Sequence, residues 1–173
     1  MKRMLNSVLI AAVAFAMTGC AASQGTSPSH GTSPKGLEVP IEKAAVKFAA
    51  DTRQSAYKLV ITEELKKWVD EKKKMTIISA LPAEEDVSFG KLPGAINSML
   101  PKTEKELTPA DKERLLKTAG GDKGQTIVLY CGFVACRRSH IGATILAENG
   151  YTDVYRYPAG ITGWGEMGYP LLK

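Results

Sequence analysis

The run "TIVLY", residues 126–130, constrains this chain most. Five apolar or β-prone residues stand together without the alternation of a half-buried strand. Such a run suits a central strand of a parallel sheet covered on both faces. It leads directly into Cys131, a short loop with Cys136, Arg137 and Arg138, and then a segment with helical periodicity from Ser139 to Asn149, closed by Gly150. In open α/β sheets, ligands bind beyond the carboxyl ends of the strands. Cys131 is the first residue past such an end.

The rest of the chain supplies the sheet's other parts. A helix is expected over 41–57, with Ile41, Ala45, Phe48, Ala49 and Thr52 on one face. A short strand follows at 59–61. Thr62 is placed to cap a helix whose buried stripe is Leu65, Trp68 and Val69, with Glu63 and Glu64 at its positive end. "MTIIS", 75–79, is a strand, and 80–91 is read as a loop with Glu84, Glu85 and Asp86 solvated. "LPGAIN", 92–97, holds a Pro-Gly turn and a short strand. Thr108 and Pro109 open a helix that 119–125 breaks. "DVYRY", 153–157, is the last strand. Strands alternating with helices predict an α/β fold with a mostly parallel sheet.

The N-terminus reads as an address. Lys2 and Arg3 precede an apolar run from Val8 to Met17 and then "MTGC". This is the layout of a secretory signal, too short for a stable membrane span. The ending resembles a bacterial lipobox, which implies a signal peptide over 1–19 and lipidation of Cys20. Residues 20–40 are rich in Ser, Gly, Thr and Pro and read as a flexible tether, in which His30 is given no metal role. The folded domain is expected over 41–173. Ala21 and Ala22 after the cysteine resemble the Gram-negative pattern for the periplasmic side of the outer membrane, in preference to the inner membrane or a soluble periplasmic form. The formal charge is +5. Without Lys2 and Arg3, 21 basic residues face 18 acidic ones, a net of +3 and too scattered for a nucleic-acid partner.

The chemistry is expected in the loop. A thiolate is the nucleophile, and a helix N-terminus or nearby cations lower a cysteine pKa. Cys131 has both in range: the helix opening near Ser139, and Arg137 and Arg138. Gly132, Phe133, Val134, Ala135, Cys136, Arg137, Arg138 and Ser139 would form a substrate-binding loop whose N–H groups turn inward as an anion nest. Side chains at 132–136 would then point outward, so Cys136 would flank the substrate. It is a candidate for resolving an oxidised Cys131 as a disulfide, for a weak Cys-x4-Cys metal site, or for packing alone. His140 is assigned a surface or capping role, and Trp164 a packing role under the C-terminal loop.

"IVLYC", the loop, "SH", the helix, "NGYTDVYRYPAGITGW" and "GYP", with "GKLPGAIN" upstream, resemble the single-domain rhodanese or thiosulfate sulfurtransferase family, in its exported lipoprotein form, over about residues 59–173. The resemblance implies a rhodanese-like, doubly wound, mainly parallel five-stranded sheet with helices on both faces, here with an extra N-terminal helix. It implies that Cys131 takes sulfur from a donor such as thiosulfate as a persulfide and passes it to a thiol or cyanide, with no cofactor or metal. Ser79 and Leu81 stand where the family often has Asp and Arg, Lys91 replaces a His, and Ala159 a Gly. The Cys131-to-Arg137 spacing resembles that of cell-division-cycle dual-specificity phosphatases and related arsenate reductases. That likeness implies a wider cradle for a tetrahedral oxyanion, with Arg137 as bidentate clamp and a general acid sought among Glu84, Glu85 and Asp86. Three functions are therefore carried forward: a membrane-tethered periplasmic sulfurtransferase; a thiol-dependent oxyanion enzyme, either a phosphatase or an arsenate- or selenite-type reductase; and a non-catalytic sulfur carrier or redox module of an envelope complex.

Overall fold

A computed structural model describes residues 38–173. The expected signal peptide, Cys20, His30 and nearly all of the tether lie outside the described residues. Along the chain run α1 (Glu38–Arg53), β1 (Lys58–Leu59), α2 (Thr62–Asp70), β2 (Met75–Ser79), α3 (Ala83–Phe89), β3 (Ile96–Asn97), α4 (Pro109–Ala119), β4 (Thr126–Tyr130), α5 (Arg138–Glu148), β5 (Val154–Tyr157) and α6 (Gly160–Glu166). A single 3-10 turn, Glu104–Glu106, precedes α4.

The five strands form one sheet in the order β1-β5-β4-β2-β3, and every pairing is parallel. All of β4 is buried between β2 and β5. Its pleat explains the apolar run. Ile127 and Leu129 pack on one face with Leu115, Ile141, Ala143 and Leu146 of α4 and α5. Val128 and Tyr130 pack on the other with Leu65 of α2 and Ile161 and Trp164 of α6. A strand with two cores cannot alternate apolar and polar residues. Full burial of each large side chain contributes about 1.5–3 kcal/mol.

Local chemistry fixes several boundaries. Thr108 accepts from the Asp111 N–H at 3.2 Å while the Asp111 carboxylate accepts from the Thr108 N–H at 3.0 Å, a reciprocal cap ahead of Pro109. Trp164 packs as expected: it is fully buried and donates from Nε1 to the Pro170 carbonyl at 3.0 Å.

Other expectations are corrected. Residues 83–89 form a helix rather than part of a loop, since Asp86 is buried and accepts from Ser79 Oγ at 2.7 Å and Asn97 Nδ2 at 2.6 Å. Seven residues are too few for periodicity to announce a helix. Thr62 does not cap α2. Ile61 holds that position without a side-chain bond, and the Thr62 hydroxyl pairs with the Tyr157 hydroxyl at 3.0 Å. Helix α1 starts at Glu38 and ends at Arg53, and its inward positions include Ala44, Phe48, Asp51 and Thr52, while Ile41, Ala45 and Ala49 are exposed. The glycine-rich α6 was not expected at all; Ile161 and Trp164 hold it by tertiary burial.

Candidate active site

Cys131 stands one residue beyond β4, at the carboxyl edge of the sheet. The chain from Gly132 to Arg137 loops away and returns as α5. Two interactions tie the loop to α6: the Ile161 N–H donates to the Cys131 carbonyl at 2.9 Å, and the Thr162 N–H to the Gly132 carbonyl at 3.1 Å. Gly160 makes this approach possible. Its φ is +62°, and a Cβ there would collide with the Cys131 carbonyl oxygen.

The Cys131 side chain is sealed, with the residue 1% exposed. Its Sγ donates to the Cys136 carbonyl at 3.3 Å and lies 3.2 Å from Ser139 Oγ. Ser139 Oγ in turn accepts from Arg156 Nε at 3.2 Å. Since the Cys131 proton is given to Cys136, the Ser139 hydroxyl is free to donate to Cys131. The same guanidinium donates from Nη2 to the carbonyls of Val134 and Cys136, both at 3.0 Å. Arg156, Ser139, Cys131 and Cys136 thus form a closed hydrogen-bonded ring.

Cys136 is half-buried and lines a cavity of about 370 Å³ with Lys47, Glu85, Lys102, Phe133, Arg137 and Arg138, among others. The two cysteines are free thiols, and Cys136 packs against the core cluster that contains Cys131. The neighbouring Cys131 thiol, with the N–H groups of Arg138 and Gly132, pulls the Cys136 thiol down to about 5 against the opposing effect of burial. Burial, then the neighbouring Cys136, pushes the Cys131 thiol well above its ordinary value. The loop therefore favours an anion at Cys136 over one at Cys131.

This reverses three expectations. Cys131 is not the lowered thiol, because desolvation outweighs the Ser139 donors. Cys136 does not sit on the loop's outer side; it is half-buried, packs against the core cluster that contains Cys131 and lines the cavity. Arg137 is not aimed at the cradle. It pairs with Asp51 of α1 at 2.6 Å and with Glu104, while Arg138 Nε donates to the Leu100 carbonyl at 2.8 Å. Phe133 and Val134 are exposed at the loop tip. His140 is buried, not superficial, and its Nδ1 shares a 2.9 Å hydrogen bond with the Tyr57 hydroxyl. Asp86 is tied into the Ser79–Asn97 network and Glu85 faces the cavity. Among the described residues, no group of three or more His, Cys, Asp or Glu side chains is placed to hold a metal ion.

Sequence reasoning missed Arg156, the residue that organises the loop. A signal existed: a charged residue in the middle of an otherwise apolar-aromatic strand, "VYRY". It also missed Lys47 and Lys102, which reach the cavity from α1 and from the segment before the 3-10 turn.

The chain is similar in fold to several solved structures. The polysulfide-sulfur transferase homodimer of Wolinella succinogenes superposes with a TM-score of 0.55 at 20% identity, covering 78% of this chain and 90% of that one. The thiosulfate sulfurtransferase of Pseudomonas aeruginosa gives 0.57 at 19% identity, covering 74% of this chain and 22% of that one. An uncharacterised protein of Saccharomyces cerevisiae gives 0.52 at 19% identity, covering 66% and 95%. No curated protein sequence matches significantly. The family model for the rhodanese-like domain matches residues 62–167, from the start of α2 to the end of α6. With that match over most of its length and a five-stranded parallel sheet carrying a cysteine loop at its carboxyl edge, the chain belongs to the rhodanese-like domain family.

Proposed function

We propose that this protein is a sulfurtransferase that carries sulfane sulfur as a persulfide of Cys131, taking it from thiosulfate or a similar anionic donor and yielding it to a thiol or to cyanide. One observation carries the reading: two free thiols stand in the loop that follows β4, and one of them, Cys136, lines a cavity bordered by Lys47, Lys102 and Arg138. The cations suit an anionic donor, and the amides suit a thiolate or persulfide anion. The departing sulfite is stable as an anion, so the reaction needs no strong general acid. Family membership and the fold likeness to sulfurtransferases support the same chemistry. The test is to incubate reduced protein with thiosulfate and read the intact mass; one added sulfur is expected, and none would sink the reading.

The oxyanion alternative draws no support from Arg137, whose guanidinium is engaged by Asp51 and Glu104. Turnover of an aryl phosphate or arsenate that is lost in Cys131→Ser, without sulfur transfer, would reinstate it. A non-catalytic envelope module would show stable co-purification with a partner, undiminished in Cys131→Ala, and no steady-state turnover. We place the domain on the periplasmic side of the outer membrane, tethered through lipidated Cys20. Fractionation tests this: Cys20→Ser would release the protein from the membrane, and unchanged partition would exclude the anchor.

A further inference from the structure

We propose that sulfur enters and leaves this protein at Cys136, with Cys131 serving as a shielded store that never meets the donor directly. The inference rests on the sulfur-transfer reading above and assigns the two thiols different tasks.

Three observations carry it. The first is access. Cys131 is 1% exposed, and its Sγ is closed in by Ser139 and the Cys136 carbonyl, whereas Cys136 lines the cationic cavity. A donor dianion in that cavity meets the Cys136 sulfur first. The second is electrostatic. Arg156 is 1% exposed, yet its hydrogen-bond partners are a hydroxyl and two carbonyls, and its Nη1 has no partner among the described residues. A buried cation calls for a counter-charge. Among the described residues no carboxylate pairs with it, and two groups able to become anionic stand beside the loop that Arg156 holds, the Cys131 and Cys136 thiols, of which Cys136 lines the cavity. The third is proximity: Cys131 Sγ lies 3.3 Å from the Cys136 carbonyl oxygen, and Cys136 packs against the core cluster that contains Cys131, which allows sulfur to pass between the two residues without leaving the protein. The lowered Cys136 and raised Cys131 agree with this division.

The steps balance without an outside oxidant or reductant. The Cys136 thiolate attacks the outer sulfur of thiosulfate. The new bond joins that sulfur to Cys136 Sγ; the bond to the sulfonate sulfur breaks, and sulfite leaves with the electron pair. The Cys131 thiol then gives its proton to the terminal sulfur of the Cys136 persulfide. The resulting Cys131 thiolate attacks that sulfur, the bond to Cys136 breaks, and Cys136 is restored as a thiolate beside a Cys131 persulfide. An acceptor thiol is served by the reverse transfer.

Rapid quench with thiosulfate, followed by alkylation and peptide mapping, tests the order. Sulfur should appear on the Cys136 peptide first and on the Cys131 peptide later. Cys131→Ser should keep one sulfur on Cys136, and Cys136→Ser should load slower by about tenfold or more. Equal loading of Cys136→Ser and wild type, or sulfur appearing first on Cys131, would overturn the relay and leave the sulfur-transfer reading intact. Release of hydrosulfide with a Cys131–Cys136 disulfide would also overturn it, since Cys131 would then be a resolving thiol. No loading of wild type by thiosulfate or polysulfide would overturn both. A measurement on the unaltered protein guards against misfolded variants: limiting iodoacetamide should label Cys136 before Cys131, and the reverse order would refute the assignment.

Discussion

The guanidinium of Arg156 on β5 holds the carbonyl oxygen of Cys136 at 3.0 Å, so the loop after one central strand is set by its neighbour. The same side chain lies 5.0 Å from the centre of the Phe48 ring, which covers it from α1. Arg156→Met would leave the Val134 carbonyl without this donor and the Cys136 carbonyl with the Cys131 thiol alone, at a total cost on the order of 1–3 kcal/mol. Urea unfolding should register the loss, and sulfur transfer should fall on the order of tenfold or more because the loop no longer holds the anion. Arg156→Lys should recover part of the stability and little of the rate, because an ammonium cannot span Ser139 and both carbonyls.

The pH profile of alkylation should identify the reactive thiol. With the Cys136 thiol at about 5, its labelling should be nearly flat from neutral pH down to about 6 and fall below 5. The groups facing it are Cys131, Arg138, Arg137, Lys47, Lys102 and Glu85. A rise of about tenfold per pH unit up to pH 8 would instead mark an ordinary thiol.

Gly160→Ala should disable the site without touching a thiol. The positive φ is unfavourable for alanine, costing about 1–3 kcal/mol, and the new methyl group meets the Cys131 carbonyl and Gly132 backbone. The expected outcome is a lower melting temperature together with lost sulfur loading. Gly165→Ala on the same helix has open space around its Cβ and is the control.

His140 should make the fold acid-sensitive. Burial first, then the Arg137 and Arg156 charges, lower its pKa against the pull of Asp51 and Glu104. The unfolded chain then binds a proton that the folded chain refuses. Stability is present in full above 6.5, the ordinary value, and falls as the pH drops from there to the depressed folded value. Urea midpoints between pH 8 and 5 should show the decline, and His140→Gln should flatten it.

Lys47→Glu and Lys102→Glu should raise KM for thiosulfate severalfold at low ionic strength, with less effect on kcat. Both residues line the cavity without belonging to the thiol ring. The effect should fade toward ~1 M salt, where the Debye length is about 3 Å. A KM insensitive to both substitutions and to salt would place the donor elsewhere.

The sequence by itself determined the architecture and the address of the site. "TIVLY" had no polar face to show to water, so it had to lie between two layers, and the parallel crossovers put Cys131 at the sheet's carboxyl edge. Thr108–Pro109 announced α4 because a cap is local chemistry. Tertiary structure alone decided the division of labour within the loop. The protonation of Cys131 depends on burial by distant elements, and the fate of Arg137 on Asp51 and Glu104, far away in the chain. Helix α6 formed against the propensity of its glycines because Ile161 and Trp164 found a core. Spacing along the chain records which groups can meet; desolvation and partner choice, which set charge, exist only once the chain has folded.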